Sequence, residues 1–282
     1  ISYVTDKEGP LLQRLKAEGK NTRADLLLTV DAGNLWHAAE NGVLAEIDSP
    51  VLEANVPANL RDPKGRWFGL SERARTIVYS PERVDPATLS TYEALAEPQW
   101  KGRLCLRTSK KVYNQSLVAT LIARLGEEEA ERIVRGWVDN LAAAPFSNDT
   151  KTIEAVAAGQ CDVAIVNTYY FGRLQQKDPD IKAALFWPNQ QTSGVHVNVS
   201  GAGVTKYAKH PENAQRLIEW LSSDEAQGDF AGLNAEYPVN PSVEPTPLVK
   251  AWGSFKADQL NVAEAGRLQA AAIRLMDRAG YR

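Results

Sequence analysis

Residues 162–170, DVAIVNTYY, decide the fold, because an apolar strand runs directly into two adjacent tyrosines. Comparable apolar runs lie at residues 24–31 (ADLLLTVD) and 76–79 (TIVY), and helical patterns separate them. A continuous apolar run such as 24–31 is typical of a parallel strand that is covered on both faces. The alternation of strands and helices predicts an α/β protein with mostly parallel sheets, whose ligand binds beyond the carboxyl ends of the strands.

The helical patterns are apolar residues at helical spacing, several of them ending at a glycine. They predict helices over residues 9–19, 32–41, 112–125, 127–141, 150–159, 211–221 and 263–278. Residues 102–107 predict a further short strand, and the polar segment SERAR at 71–75 is interpreted as preceding the strand TIVY.

Length and charge exclude several classes of protein. The chain has 282 residues, enough for two lobes. Its 32 basic and 35 acidic residues give a net charge of −3, which argues against nucleic acid as the main partner. No apolar run approaches the ~20 residues that cross a bilayer. The first residues, ISYVTDKEGP, do not have the pattern of a signal peptide, so for an exported protein we expect the leader to be absent from this chain.

Signatures of catalysis are missing from the sequence. It contains no G-x-S-x-G, Walker A or H-E-x-x-H motif. Its three histidines, His37, His196 and His210, lie near no nucleophile in the sequence. The sequence therefore favours a protein that is not an enzyme.

The tyrosine pair Tyr169 and Tyr170 lies at the carboxyl end of its strand, where an α/β protein binds its ligand. A phenolate is a hard anionic donor that suits a hard cation such as Fe(III). Metal binding must displace the phenol proton, whose ordinary pKa is near 10, so binding would be pH-dependent. The alternative is that the two rings only pack against the protein with their polar tips in water.

A second candidate group surrounds the start of the helix predicted at 112–125. Thr108 and Ser109 follow a predicted strand, and Tyr113 comes in the first turn of the helix. Free backbone N–H groups at a helix N-terminus bind anions, and Arg73 or Arg75 could neutralise one. The alternatives are that Ser109 only caps the helix, that Tyr113 lies on its surface, and that each arginine forms a surface ion pair.

Cys105 and Cys161 are the only cysteines, and their separation fits no metal-finger pattern. Both lie near predicted strands. If those strands are neighbours, a disulfide is geometrically possible; two buried free thiols are an equal alternative on spacing alone.

Taken in order, these segments resemble the periplasmic ferric-ion-binding proteins of bacterial iron ABC transporters. The resemblance is carried by ADLLLTVDAGNLWHAAENGVLAEI, WFGLSERARTIVY, PQWKGRLCLRTSKKVYNQSLVATLI, VAIVNTYYFGRL, HVNVSGAGVTKYAKHPENAQRLIEWLSSDEAQ and NAEYPVNP, which cover most of the chain. It implies an α/β, two-lobed type II periplasmic-binding-protein fold, with mixed sheets flanked by helices and the ligand in the cleft between the lobes.

The same resemblance implies a division of the chain. The N-lobe would comprise residues 1–73 and 201–246, and the C-lobe residues 74–200 and 247–282. The family begins with a strand and a helix before the point that matches ISYVTD. That strand supplies a His or Tyr ligand in some members, and no ligand from it is assigned here. We expect the N-lobe of this chain to lack its first strand and helix.

The resemblance also assigns the candidate site. Tyr169 and Tyr170 match the paired tyrosine ligands of Fe(III), and Tyr113 matches the third tyrosine of one branch. Some relatives have a glutamate ligand where this chain has Val30, so the chain resembles the tyrosine-rich branch. The positions at which other members hold a synergistic anion, carbonate or a similar one, are Arg73, Thr108, Ser109 and Asn167.

The implied function is that of a monomeric periplasmic carrier that delivers ferric iron to an inner-membrane ABC permease and does not bind nucleic acid. The alternative is the same fold binding a small organic solute or oxyanion for import, for instance between Trp36 and Tyr169 or Tyr170. A periplasmic location also favours a Cys105–Cys161 disulfide over free thiols.

Overall fold

A computed structural model describes residues 1–282 as a mixed α/β protein. The strands are β1 (Leu26–Val30), β2 (Phe68–Tyr79), β3 (Leu104–Cys105), β4 (Val163–Asn167), β5 (Ala184–Phe186), β6 (Val197–Val204) and β7 (Tyr237–Pro238). The helices are α1 (Glu8–Glu18), α2 (Ala32–Glu40), α3 (Pro50–Asn55), α4 (Val112–Leu125), α5 (Glu127–Asp139), α6 (Asp149–Ala157), α7 (Thr168–Lys177), α8 (Pro211–Leu221), α9 (Asp224–Gly232), α10 (Pro247–Lys250), α11 (Glu264–Arg267) and α12 (Gln269–Arg278).

The strands join in the order β1-β6-β2-β4-β3, with β5 and β7 also paired to β2. Only β3 and β4 are parallel, and every other pair of strands is antiparallel. The prediction of mostly parallel sheets is therefore wrong, and the sheets are mixed. Alternation with helices does not set strand direction here, because the connections are long enough for the chain to return either way.

The long strand β2 is shared between two groups of strands. Residues 68–74 pair with β6, and residues 75–79 pair with β4. The segment SERAR therefore lies inside the strand, and its interpretation as a polar segment before the strand is wrong. Its two arginines are buried among polar partners, so polarity in the sequence did not mean exposure.

Strand β1 lies at the edge of the sheet and pairs only with β6, in antiparallel fashion. Leu28 is 43% exposed, whereas Leu27 on the other face is buried. The expectation of a parallel strand covered on both faces is wrong for this strand, because α2 covers one face only.

Apolar side chains form two large cores and a smaller one. The first lies around Leu35, Trp67 and Phe68, where α2 packs near the first half of β2 and β6. The second surrounds Trp100 and Trp137 and packs β4 against helices α4, α5 and α12. The third lies beside the two cysteines. The division of the chain into lobes at particular residues stays a prediction.

Cys105 and Cys161 form a disulfide with their Cα atoms 5.9 Å apart, which confirms the preference for a bonded pair. The bond ties β3 to the segment before β4. Both sulfur atoms are buried beside the parallel ladder in which Leu104 pairs with Val163. It therefore fixes two strands whose carboxyl ends lead to the candidate site.

Helix α4 has the predicted bounds, whereas the helix predicted at 263–278 is two helices, α11 and α12, separated at Leu268. Helix α7 begins at Thr168 directly after β4, so no loop separates the strand from the helix. None of the helices combines the length and the apolar character that crossing a membrane requires.

Candidate metal centre

The paired tyrosines lie in the first turn of α7, at the junction with β4. Their ring centroids are 4.3 Å apart, with the ring planes inclined by 32°. Tyr169 is 7% exposed, and Tyr170 is half-buried. The abrupt change from strand to helix at Asn167 places both rings at the same edge of the sheet.

Tyr113 is the second residue of α4 and is as buried as Tyr169. It follows β3, which runs parallel to β4, so α4 and α7 begin at the same edge of the sheet. The hydroxyl groups of Tyr113 and Tyr169 are within hydrogen-bonding reach of each other, and the ring of Tyr170 lies against that of Tyr169. The structure thus brings together the three tyrosines singled out in the sequence, and we call them the tyrosine cluster.

Burial raises the pKa of both Tyr113 and Tyr169 above the ordinary value for a phenol. The positive charge of Arg73 acts in the opposite direction on both pKa values but does not outweigh burial. Both phenols are therefore protonated at neutral pH, and a metal that takes their oxygens must displace the protons.

Four cationic side chains surround the tyrosine cluster. Arg73, Arg107 and Lys111 lie 5.6, 5.4 and 4.7 Å from the centre of the Tyr113 ring, and Arg173 lies 5.0 Å from that of Tyr169. Such cations stabilise phenolates over phenols.

Among these four cations only Arg73 is singled out by the sequence patterns, whereas Arg107, Lys111 and Arg173 are not. Arg107 Nη1 also donates to Tyr170 Oη at 3.3 Å. Arg107 and Arg173 could have been found from their positions in the sequence, since Arg107 directly precedes Thr108 and Arg173 lies one turn after Tyr169 on α7.

Arg73 is buried with unused hydrogen-bonding capacity. Its side chain is 2% exposed, and Nη1 donates to Ser200 Oγ at 3.2 Å. Its other terminal nitrogen, Nη2, is buried without a partner. A buried donor without a partner is unfavourable, so this nitrogen suits an anion that enters the site.

Both terminal nitrogens of Arg75, two residues further along β2, are bonded to the protein, and only its Nε is buried without a partner. Nη1 donates to Asp149 Oδ2 at 3.1 Å and Asn167 Oδ1 at 2.9 Å, and Nη2 donates to Asn114 Oδ1 at 2.5 Å. Nη2 also reaches the carbonyl of Ile165 at 3.2 Å. Neither arginine is the surface ion pair considered above. The hydrogen bonds of Arg75 stabilise the fold, and it is not a candidate for binding the ligand. Asn167 offers its side-chain oxygen to Arg75, while its Nδ2 has no partner.

Thr108 and Ser109 lie half-buried beside the cluster, but their backbone N–H groups are occupied. Thr108 N–H donates to the carbonyl of Phe146 at 2.8 Å, and Ser109 N–H to that of Arg282 at 3.2 Å. Helix α4 is capped at Lys111, so Ser109 is not its cap. The alternative that places Tyr113 on the helix surface is also wrong, because its ring is buried.

Other parts of the chain do not offer a competing metal site. No group of three or more His, Cys, Asp or Glu side chains converges on a point. His196 is buried against Thr120, and burial lowers its pKa to about 3. His37 bonds to Gln269 at 2.5 Å, and its ring packs edge-on against Trp36. A cavity of about 300 Å³ lies between the end of α1 and the segment after α2, and it is lined by none of the candidate residues.

Comparisons with known proteins identify the family of the chain. A family described as bacterial extracellular solute-binding protein matches residues 21–252. Iron uptake protein A1 of Synechocystis sp. is 46% identical over 288 residues, an alignment that takes in 100% of this chain and 80% of the relative.

Two solved structures extend the likeness to three dimensions. The Trichodesmium protein IdiA (FutA) in complex with iron and citrate superposes with a TM-score of 0.96 at 47% identity, over 98% of this chain and 90% of the other. The ferric binding protein from Campylobacter jejuni gives a TM-score of 0.93 at 34% identity, over 100% and 91%. These likenesses confirm the two-lobed fold of type II solute-binding proteins, a class that binds solutes and does not catalyse reactions. The chain therefore belongs to the bacterial extracellular solute-binding protein family, and the three relatives named above are an iron uptake protein and two iron-binding proteins.

Proposed function

We propose that the protein binds ferric iron through the phenolate oxygens of Tyr113, Tyr169 and Tyr170. The observation that carries this proposal is the convergence of three tyrosines at one sheet edge, in a chain with no cluster of other metal ligands. Three phenolates neutralise the three charges of Fe(III), and phenolate oxygen is a hard donor for that hard cation.

The surrounding cations fit this role. Apo protein holds neutral phenols beside four positive side chains, and each proton lost on binding leaves a negative oxygen next to a cation. The same cations would repel a bare metal ion if the tyrosines stayed protonated. Binding and deprotonation are therefore coupled.

A synergistic anion, carbonate or a similar one, completes the proposed coordination. Arg73 is its main recognition group, because Nη2 is buried without a partner. Asn167 Nδ2 is a second unpartnered donor, and the hydroxyl groups of Thr108 and Ser109 lie at the same edge. The backbone N–H groups of Thr108 and Ser109 are already bonded, so the anion site rests on side chains.

The proposed cellular role is transport. Family membership and the iron-uptake relatives support a monomeric carrier in the periplasm that closes its lobes around iron and delivers it to an inner-membrane ABC permease. A ligand that contacts both lobes favours the closed state, which the permease can recognise. The net charge of −3 supports the absence of a nucleic-acid partner.

An anionic organic solute or oxyanion is the second candidate ligand, favoured by the four cations around the cluster. The aromatic sandwich that would support it is absent, since Trp36 packs against His37. An organic ligand would also leave the protein colourless, whereas ferric tyrosinate is red-orange.

The test is an absorbance spectrum of the purified protein with and without ferric citrate. We expect a visible charge-transfer band that Tyr169→Phe or Tyr170→Phe abolishes or strongly shifts, and that Tyr113→Phe shifts more mildly because water or the anion replaces its oxygen. Tyr207→Phe, at a residue remote from the cluster, should keep the wild-type band. A band that survives in all three cluster variants would show that the tyrosine site is wrong.

A further inference from the structure

Asp149, the first residue of α6, is a buried carboxylate outside the tyrosine cluster. Its exposure is 0%, so its charge must be compensated by the protein. Oδ2 accepts from Arg75 Nη1 at 3.1 Å and from the backbone N–H of Asn167 at 3.0 Å. Oδ1 lies 3.7 Å from Arg107 Nη1, which in turn donates to Tyr170 Oη.

These contacts connect Asp149 to the tyrosine cluster by two routes. The first is through the backbone, because Asn167 is the last residue before the turn that aims both Tyr169 and Tyr170. The second is through charge, because Arg107 lies between Asp149 and the hydroxyl of Tyr170 and faces the Tyr113 ring at 5.4 Å.

We propose that Asp149 is a positioning residue for the iron site: it fixes the strand-to-helix turn before the tyrosine pair and shares Arg107 with the oxygen of Tyr170. This inference rests on the proposed function. With Asp149 in place, the positive charge of Arg107 is divided between two oxygens. Without it, the full charge acts on Tyr170, which becomes a poorer electron donor to a bound metal.

The test is the Asp149→Asn variant, in which the shape is kept and the charge removed. In the iron-loaded protein we expect the charge-transfer band to move to shorter wavelength and the iron affinity to fall by about 10- to 100-fold. Band position is the decisive readout, since a residue that only supports the fold would leave the energy of the tyrosine–iron transition unchanged.

Asp162→Asn is the matched control. Asp162 also bridges two arginines, Arg83 at 2.8 Å and Arg103 at 2.6 Å, but it lies at the opposite end of β4 from the tyrosines. Its replacement should leave both band and affinity at the wild-type values. A wild-type protein without any visible band would reject the proposed function itself, before any variant is compared.

Arg107→Gln provides a second test that does not depend on the folding of the Asp149 variant. It cuts the charge route while leaving the Arg75–Asp149 pair and the Asn167 bond intact. Because Tyr170 then loses a positive neighbour, its band should move to longer wavelength, opposite to the Asp149→Asn shift. If the iron-loaded wild type has a visible band and that band is unshifted in both Asp149→Asn and Arg107→Gln, the proposal is overturned. If Asp149→Asn does not fold, an unshifted band in Arg107→Gln is enough to overturn it.

Discussion

Arg73 and Arg75 lie two residues apart on the same strand and are equally buried, yet their surroundings differ. Arg75 has acceptors on Asp149, Asn167, Asn114 and a backbone carbonyl, whereas Arg73 has one hydrogen bond and a terminal nitrogen without a partner. The difference shows that burial alone does not identify a functional arginine. A guanidinium whose two terminal nitrogens are both bonded to the protein stabilises the fold, and one with a terminal nitrogen left without a partner is ready for a ligand.

Arg75→Met is the largest test of this comparison. It should lower the free energy of unfolding by about 3–5 kcal/mol, because Asp149 would remain buried without the arginine that is hydrogen-bonded to it. Denaturant titration of the iron-free protein measures the effect. Arg73→Met is the matched control and should lose much less, since Arg73 makes a single hydrogen bond. Equal losses in the two variants would mean that Arg73 is structural as well.

The pH dependence of iron binding tests the role of Arg73 through its effect on Tyr113 and Tyr169. The folded-state pKa values of Tyr113 and Tyr169 are raised by burial, so both phenols hold their protons at every pH below those values. Iron must release both protons, and its apparent affinity should therefore fall by at least about 100-fold for each unit by which pH decreases.

The released protons can be counted at constant pH while iron is added. Tyr169→Phe removes one of the two buried phenols, those of Tyr113 and Tyr169, and should release about one proton fewer than the wild type. Affinity that is independent of pH would contradict tyrosinate ligation. The positive charge of Arg73 lowers both pKa values, so Arg73→Met should make the loss of affinity at low pH begin at a higher pH.

The smallest expected effect concerns the anion. Arg73→Ala should weaken iron binding by about 10- to 100-fold and make it less sensitive to added bicarbonate, because the unpartnered guanidinium nitrogen is lost. Iron titrations at several bicarbonate concentrations measure both changes. An Arg73→Ala protein with the bicarbonate dependence of the wild type would place the anion site elsewhere.

The sequence was sufficient to predict most elements of the fold and the members of the tyrosine cluster. The bounds of α4 and the strand that ends at Asn167 follow from local patterns, because apolar periodicity and the residues that end a helix are local in the chain. The tyrosines could be found because two are adjacent and the third follows the neighbouring strand.

The features that could not be predicted from the sequence depend on contacts between residues far apart in the chain. Arg75 looks like Arg73 in SERAR, and only the fold brings Asp149 and Asn114 to one of them. The prediction of mostly parallel strands was wrong for the same reason, since β2 pairs with strands more than 80 residues away in the chain. The occupied N–H groups of Thr108 and Ser109 likewise depend on carbonyls that only tertiary structure supplies.

The sharing of β2 between two groups of strands has a consequence for how the protein unfolds. One continuous strand of 12 residues supplies hydrogen-bonding partners to β6 at one end and to β4 at the other. Melting either sheet releases an edge of the other and exposes the side chains that the strand contributes to both large cores. The two halves are therefore thermodynamically linked, so a substitution that destabilises one half also lowers the stability of the other.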